Sequence, residues 1–336
     1  MRAWHVARYG EPEFRTDVAA PVVDDVEGAG DAQVIVEVEA AAANFADSLM
    51  LVGDYQERPP LPFTPGIELA GTISNPGTSR FSVGDRVVGL AGLGTGSWAE
   101  FARCDSRQLV SIPDDVAYID AVGLHINAQT AWFALHRRAQ ISPTDTVLVH
   151  AAAGGVGALV VQLAAAHGCT VVGTSSAAKT GIAESLGAVA CYDNRDPGWA
   201  DRVRTDHGLV DVVIDPVGGP VFAPSFRLLG FEGRYVTVGF ASGDIPTVKT
   251  NHALVKNVTL HGLYWTRYTF ENRRLVDDAA EEIFGLHRAG RLDPLVATVA
   301  SMDQAVDRVA DVASGRTVGK TVLVWSDTEL AAGQPD

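Results

Sequence analysis

The densest chemistry in the chain lies in the stretch 146–168, TVLVHAAAGGVGALVVQLAAAHG. A β-branched apolar run leads into a glycine-rich turn, and the turn opens a run with helical spacing. Ala152, Gly154 and Gly157 occupy the three positions of a G-x-G-x-x-G spacing. In such a turn the middle glycine lets backbone approach a pyrophosphate, and the third lets the helix pack closely on the strand. The helix start then offers unpaired N–H groups and a positive dipole end to phosphate oxygens. Ala153, Gly154, Gly155, Val156 and Gly157 are therefore candidate dinucleotide-binding residues. Alanine in the first position requires negative φ there. The bland alternative is a tight packing corner, but the strand before the turn and the helix after it favour a nucleotide.

A second position separates the two common dinucleotides. A site for NAD places a carboxylate at the end of the second strand, about 20 residues on, against the ribose 2′-hydroxyl. Here that place holds Gly173-Thr174-Ser175-Ser176, followed by Lys179. Small hydroxyls and a cation suit a 2′-phosphate, which a carboxylate would repel. Thr174, Ser175, Ser176 and Lys179 thus point to NADPH, the competing role for Lys179 being a solvated surface lysine.

The surrounding pattern supplies elements to position these groups. Gln33–Ala40 alternates apolar and polar residues as a half-buried strand does. Gly and Pro recur from Gly53 to Gly96, as in short strands joined by turns. The character changes near Asp120, where 121–138 has helical spacing. A regular alternation follows: strands at 146–150, 170–173, 189–192, 210–214 and 234–239, helices at 156–167, 177–186, 199–206 and 222–229. This rhythm predicts a doubly wound parallel α/β sheet. A strand over 258–265, helices over 273–289 and 302–313, and a final strand over 321–325 complete the reading. The polar tail 328–336 is expected to fray.

Composition sets limits. The 336 residues carry 26 Lys+Arg against 41 Asp+Glu, a net charge of −15. No nucleic-acid partner is expected, because such binding needs a basic footprint. Cys104, Cys169 and Cys191 form no CxxC pair, which argues against a disulfide framework or a structural zinc cluster. No apolar segment is long enough to span a membrane, and the N-terminus lacks a signal-like apolar core. A reducing cytoplasm is the expected compartment.

Motifs along the chain carry a family resemblance: AAANFAD (41–47), GDYQERPPLPFTPGIELAG (53–71), GDRVVGL (84–90), SWAEFA (97–102), HAAAGGVG (150–157), GTSSAAK (173–179), VIDPVGG (213–219) and KNVTLHGLYW (256–265). In this order they resemble the quinone oxidoreductase and zeta-crystallin-like branch of the zinc-free medium-chain dehydrogenase/reductases. The resemblance implies a GroES-like β-rich catalytic domain over 1–122, a Rossmann domain over 123–264, and a return segment over 265–336 that completes the first. It places the cofactor between the domains and implies a homodimer through the Rossmann edge strand 258–265. Zinc relatives carry cysteine where this chain has Asn44 and histidine where it has Ile67, so the resemblance implies no metal.

The same resemblance assigns roles. It sets Asn44 and Asp47 beside the nicotinamide ribose, where turn formation is their structural alternative. A tyrosine near Tyr55 acts in related enoyl reductases, and a hydroxyl there could stabilise developing enolate charge. Thr130, Tyr192, Val217, Phe240, Ser242, Arg316 and Lys320 match cofactor-contacting positions. Ile67, Tyr264 and Trp265 are candidate walls of the acceptor pocket. Packing competes with each aromatic assignment, and His125 reads as a packed helix residue. The activity implied is hydride transfer from NADPH to a quinone. Reduction of an enone, alkenal or acyl-thioester double bond is the first alternative, and non-catalytic NADPH binding the second.

Charge reversal at Lys179 tests the cofactor reading. Lys179→Glu should weaken NADPH binding at least about tenfold, from the roughly 1.5–3 kcal/mol of a charged hydrogen bond. Fluorescence titration of the variant measures it, and equal affinity would remove Lys179 from the site.

Overall fold

A computed structural model describes residues 1–23 and 33–325, so the tail 328–336 lies outside the described residues. The chain divides into two compact units, one of Met1–Ile126, Thr269–Phe284 and Val296–Asp336, the other of Asn127–Tyr268 and Gly285–Leu295.

The first unit is built on a sheet with strand order Val296–Ser301, Lys320–Val324, Gln33–Ala43, Glu68–Asn75, Arg86–Leu90 and Leu109–Ser111, with Phe101–Asp105 also paired to Gln33–Ala43. Gln33–Ala43 is the hub. Val34, Ile35 and Val36 are buried in succession, burial alternates from Val36 to Ala40, and the second half, Ala40–Ala43, is buried throughout. Only small side chains allow cover on both faces there. Trp98 is fully buried nearby and donates its indole N–H to the Ala42 carbonyl at 3.2 Å. The core gathers Val34, Val36, Leu69, Ile73, Trp98 and Leu109 from the N-terminal stretch and Val309 and Leu323 from the C-terminal one. The unit is therefore closed by residues that lie far apart in sequence.

The second unit holds six parallel strands among its described residues, in the order Ala190–Asp193, Thr170–Ser175, Thr146–His150, Val210–Asp215, Leu229–Thr237, Thr259–Gly262. This is the 3-2-1-4-5-6 order of a doubly wound sheet. Val147–Val149, Val171, Val172 and Val212–Ile214 are buried, as expected of strands covered on both faces. The order reverses between Thr146–His150 and Val210–Asp215. Ligands of such sheets bind outside the carboxyl ends at that point.

Several elements differ in extent from the pattern reading. The helix expected at 121–138 starts at Tyr118, and its last turns, Phe133–Ala139, are π-helical. The strand expected over 258–265 pairs only through Thr259–Gly262, because its partner strand ends at Thr237, which pairs Gly262. Trp265 instead begins a 3₁₀ turn. Leu229 opens a strand rather than closing a helix. The strand Val296–Ser301 and the helix Thr250–Lys256 were not legible, being short and without clear periodicity.

The glycine turn is sterically full. A Cβ at Gly157 would meet the Ala151 carbonyl oxygen at 2.1 Å and its carbon at 2.7 Å. Backbone cannot swing aside as a side chain does, so Gly157→Ala should destabilise by about 1–3 kcal/mol. Denaturant unfolding at matched pH measures this loss.

Candidate functional site

In the first unit the helix Phe45–Val52 starts at Asn44 and ends at Gly53, whose φ is 78°. Asp47, its third residue, reaches back so that Oδ2 accepts the Asn44 backbone N–H at 2.8 Å. Its Oδ1 accepts the Ile67 N–H at 3.0 Å. The turn-forming alternative for Asn44 and Asp47 is thus realised as a helix cap, and the same cap builds a buried polar cluster.

Glu68 opens the strand Glu68–Asn75 and is fully buried, as is Asp47. Lys320 opens the strand Lys320–Val324 and is 3% exposed. Its Nζ donates to Glu68 Oε2 at 2.6 Å and to Asn44 Oδ1 at 2.7 Å. The other Glu68 oxygen accepts the Ile126 N–H at 2.8 Å, and Asn44 Nδ2 donates to Oε2 at 3.4 Å. Register explains the convergence. Thr321 pairs with Ala43, so Lys320 falls beside Asn44 across the ladder. Because Lys320 takes Oδ1, the amide of Asn44 is fixed with its N–H₂ group toward Glu68.

Burial dominates the electrostatics of Asp47, pushing its carboxyl up from 3.8 to about 7. The Asn44 and Ile67 N–H groups and the Lys320 charge oppose that rise, while Glu68 adds to it. His125 lies buried in the same unit. Burial, with Arg273 and Lys320 nearby, pushes its imidazole down to about 3, so it stays neutral. Among the described residues no group of three His, Cys, Asp or Glu side chains is placed to hold a metal ion. The two carboxylates of the cluster are committed, Asp47 to backbone N–H groups and Glu68 to an ammonium. Tyr55 and Ile67 pack on the core of this unit, and Arg316 is exposed and bound to Asp311.

In the second unit, the loops that follow the carboxyl ends of the parallel strands carry Ala153–Gly157, Ser176, Val217, Phe240 and Ser242. Gly154 caps the helix Gly155–His167. The positive φ of the turn falls on Ala151, at 51°, and Ala152 keeps negative φ as required. A Cβ at Gly155 would meet Asn127 Nδ2 at 2.5 Å, so the helix carrying Asn127 packs on the turn. Thr130 lies one helical step along from Asn127, on the same face. Two further loops are pinned by Asp215, which sequence reasoning passed over. Its Oδ1 accepts the Val217 and Gly218 N–H groups at 2.8 and 2.9 Å, and its Oδ2 accepts the Tyr235 hydroxyl at 2.5 Å. The Ser242 N–H bonds the Val217 carbonyl at 2.9 Å, and a Cβ at Gly218 would strike Phe240.

Other expected residues sit differently. Thr174 is fully buried, its hydroxyl 2.7 Å from His150 Nδ1, and the other nitrogen of that ring meets the Ser225 hydroxyl. Ser175 is buried against Cys191, which leaves Ser176 and Lys179 less covered. Burial lowers the Lys179 ammonium. The Tyr192 hydroxyl bonds Asp206 at 2.7 Å and His207 at 3.0 Å, and burial together with Asp206 pushes it up to about 12. Tyr264 is 45% exposed and Trp265 is buried. Lys320, matched to a phosphate-contacting position, has its ammonium in the Glu68 pair. Glu68 and Asp215 were detectable in principle, each being a lone acid at one end of an apolar strand.

Comparison with known proteins gives one family. Residues 30–114 match the family model described as alcohol dehydrogenase GroES-like domain, and residues 155–281 the one described as zinc-binding dehydrogenase. Quinone oxidoreductase-like protein 2 homolog of Nematostella vectensis is 35% identical, over 90% of this chain and 85% of its own. The mycobacterial protein Rv1454c, solved complexed with NADPH, superposes with a TM-score of 0.87 at 29% identity, covering 96% of this chain and 99% of its own. The Escherichia coli quinone oxidoreductase complexed with NADPH does so with a TM-score of 0.86 at 25% identity, covering 96% and 100%.

Two outcomes follow from the buried cluster. Lys320→Met strands the Glu68 carboxylate and should destabilise by about 3–5 kcal/mol in denaturant unfolding. A carboxyl raised on folding holds its proton more tightly in the folded state. Asp47 therefore favours folding at low pH and withdraws that contribution as pH rises from 3.8 through about 7. The stability advantage of wild type over Asp47→Asn should shrink across that window and stay constant above it. An advantage that grows with pH would contradict the sign.

Proposed function

Because the chain belongs to the medium-chain dehydrogenase/reductase family, in its quinone oxidoreductase-like branch, we propose that it is an NADPH-dependent oxidoreductase that passes hydride to a quinone without zinc. The observation that carries the cofactor is the carboxyl edge of the second unit. There a glycine turn too crowded for a Cβ opens a helix of 13 residues at the point where strand order reverses. The relatives solved with NADPH support the same reading.

Each group has an assigned task. The N–H groups of Gly154–Gly157 hold the pyrophosphate, joined by the face that carries Thr130. Ser176 and Lys179 take the 2′-phosphate, with Thr174 and Ser175 setting the strand end that presents them. Tyr192 flanks the adenosine side. Val217, Phe240 and Ser242, on loops held by Asp215, receive the carboxamide. Arg316 and Lys320 of the first unit are assigned to the cofactor, Lys320 through the Asn44 amide it orients. Bound NADPH supplies the hydride. Asn44 and Asp47 position the ribose, and Tyr55 donates a hydrogen bond to the acceptor oxygen as charge develops there. Ile67, Tyr264 and Trp265 wall the acceptor.

The Lys320–Glu68 pair supports chemistry without zinc. A dication beside that ammonium would be repelled, and no ligand triad competes for it among the described residues. Without a Lewis acid to acidify an alcohol, the acceptor must already be electrophilic, as a quinone is. Among the described residues no helix is long and apolar enough to cross a membrane. Free Cys104, Cys169 and Cys191 fit a cytoplasmic setting. The edge strand Thr259–Gly262, with Leu260 44% exposed, supports a homodimer across that edge.

The test is NADPH consumption by chelator-treated protein across benzoquinones, naphthoquinones and small enones, with NADH as control. Quinone turnover with NADPH, weak turnover with NADH and indifference to chelator are expected. Preference for enones would move the acceptor class, and activity restored by zinc would remove the metal-free reading. Tyr55→Phe should lower quinone turnover by about a hundredfold while leaving NADPH affinity intact. Full turnover by that variant would take Tyr55 out of the mechanism.

A further inference from the structure

His150 ends the strand Thr146–His150, directly before the glycine turn. Its side chain is fully buried, and both ring nitrogens are bonded. Nδ1 lies 2.7 Å from the Thr174 hydroxyl, and Nε2 lies 2.7 Å from the Ser225 hydroxyl. The Trp199 ring meets the imidazole edge to face at 5.5 Å, which holds its plane.

One contact sets the direction of every bond. The Ser225 hydroxyl also lies 2.7 Å from the Val221 carbonyl oxygen. A carbonyl has no proton to give, so the single Ser225 proton lies on that contact. Ser225 must then accept from the ring, which puts a proton on Nε2. Burial pushes the imidazole down against a weaker opposite pull from Asp215, so the ring is neutral and Nδ1 carries only a lone pair. Nδ1 therefore accepts the Thr174 O–H. The bonds all run one way, from Thr174 to His150, on to Ser225, and on to Val221.

This chain ties together three segments that follow strand ends. Thr174 lies in the strand end that leads to Ser176 and Lys179, and its carbonyl accepts the Ala152 N–H of the glycine turn at 3.0 Å. His150 leads into that turn. Val221 closes the 3₁₀ turn Gly219–Val221, which follows Val217 and Gly218. Apolar residues of the same shape could supply equal stability. A fully bonded polar chain of fixed direction instead specifies one arrangement of those strand ends.

We propose that His150, as the Nε2–H tautomer, is a positioning residue for NADPH over NADH, setting the 2′-phosphate seat through Thr174. The inference rests on the NADPH reading of the site.

Fluorescence titration of the full chain with NADPH and with NADH tests it. Thr174→Val and His150→Phe should each weaken NADPH about fivefold, as loss of one neutral hydrogen bond does, and leave NADH within about twofold. Thr174→Ser restores the hydroxyl and should recover the NADPH preference. Thr174→Val added to His150→Phe should weaken NADPH no further, because both remove the same bond. Thr72→Val, in the first unit, loses a hydroxyl bond to Tyr118 of 2.9 Å and should lower stability without changing the ratio of the two affinities. Nitrogen NMR of isotope-labelled histidine rings, with the His150 signals identified by their absence from His150→Phe, should show a protonated Nε2 and a bare Nδ1. If His150→Phe does not fold, Thr174→Val and Thr174→Ser carry the titration test. An unchanged ratio in Thr174→Val, additive losses in the double variant, or a proton on Nδ1 would each overturn the role of His150 and leave the cofactor reading standing. Wild type that binds NADH as tightly as NADPH, or binds neither, would sink the cofactor reading and this inference with it.

Discussion

A buried lysine–carboxylate pair, Lys320 with Glu68, joins strands 252 residues apart and fixes the surroundings of Asn44. Removing two charges from water is expensive, and only short, multiply bonded geometry offsets it. Here each charge has more than one partner. Glu68 spends its second oxygen on the Ile126 N–H, and Lys320 donates to the side-chain Oδ1 of Asn44 as well. The amide of Asn44 is therefore held in one orientation. Asp47, one turn into the next helix, is trapped between two backbone donors. The first unit is thus more than a scaffold of apolar strands, because its polar centre depends on the returning segment arriving in register.

The second unit solves a different problem with backbone. Its loops must stay open to a phosphate-bearing ligand and yet not move. Close approach does part of this, at Gly155 against Asn127 and Gly157 against Ala151. Buried side chains do the rest. Asp215 holds the Val217–Gly218 turn, Tyr235 holds Asp215, and His150 bridges Thr174 and Ser225 beneath the edge. Thr174 thus holds from below the strand end from which Ser176 and Lys179 extend.

These arrangements share a logic. The cation Lys320 is paired within the first unit, with Glu68 and Asn44, and in the second unit the neutral hydroxyls of Thr174, Ser175 and Ser176 stand where an NAD-preferring relative would need an acid. The absence of an acid there suits a phosphorylated dinucleotide, the NADPH with which relatives of this chain were solved.

The sequence by itself determined the doubly wound sheet, the glycine turn and the absence of an acid after the second strand. Those signals are local: each strand or helix shows its own periodicity, and the glycine spacing and the missing carboxylate both lie between Thr146 and Lys179. Extents were set elsewhere. The edge strand stops at Gly262 because its neighbour stops at Thr237, which no residue of the edge strand encodes. Only the tertiary structure decided the partners of Lys320, Glu68 and Asp215. Each reads in sequence as one charged residue beside an apolar run, with nothing to say whether it faces water or another charge. Strand register across 252 residues brought Lys320 to Glu68, and burial then made their pairing obligatory.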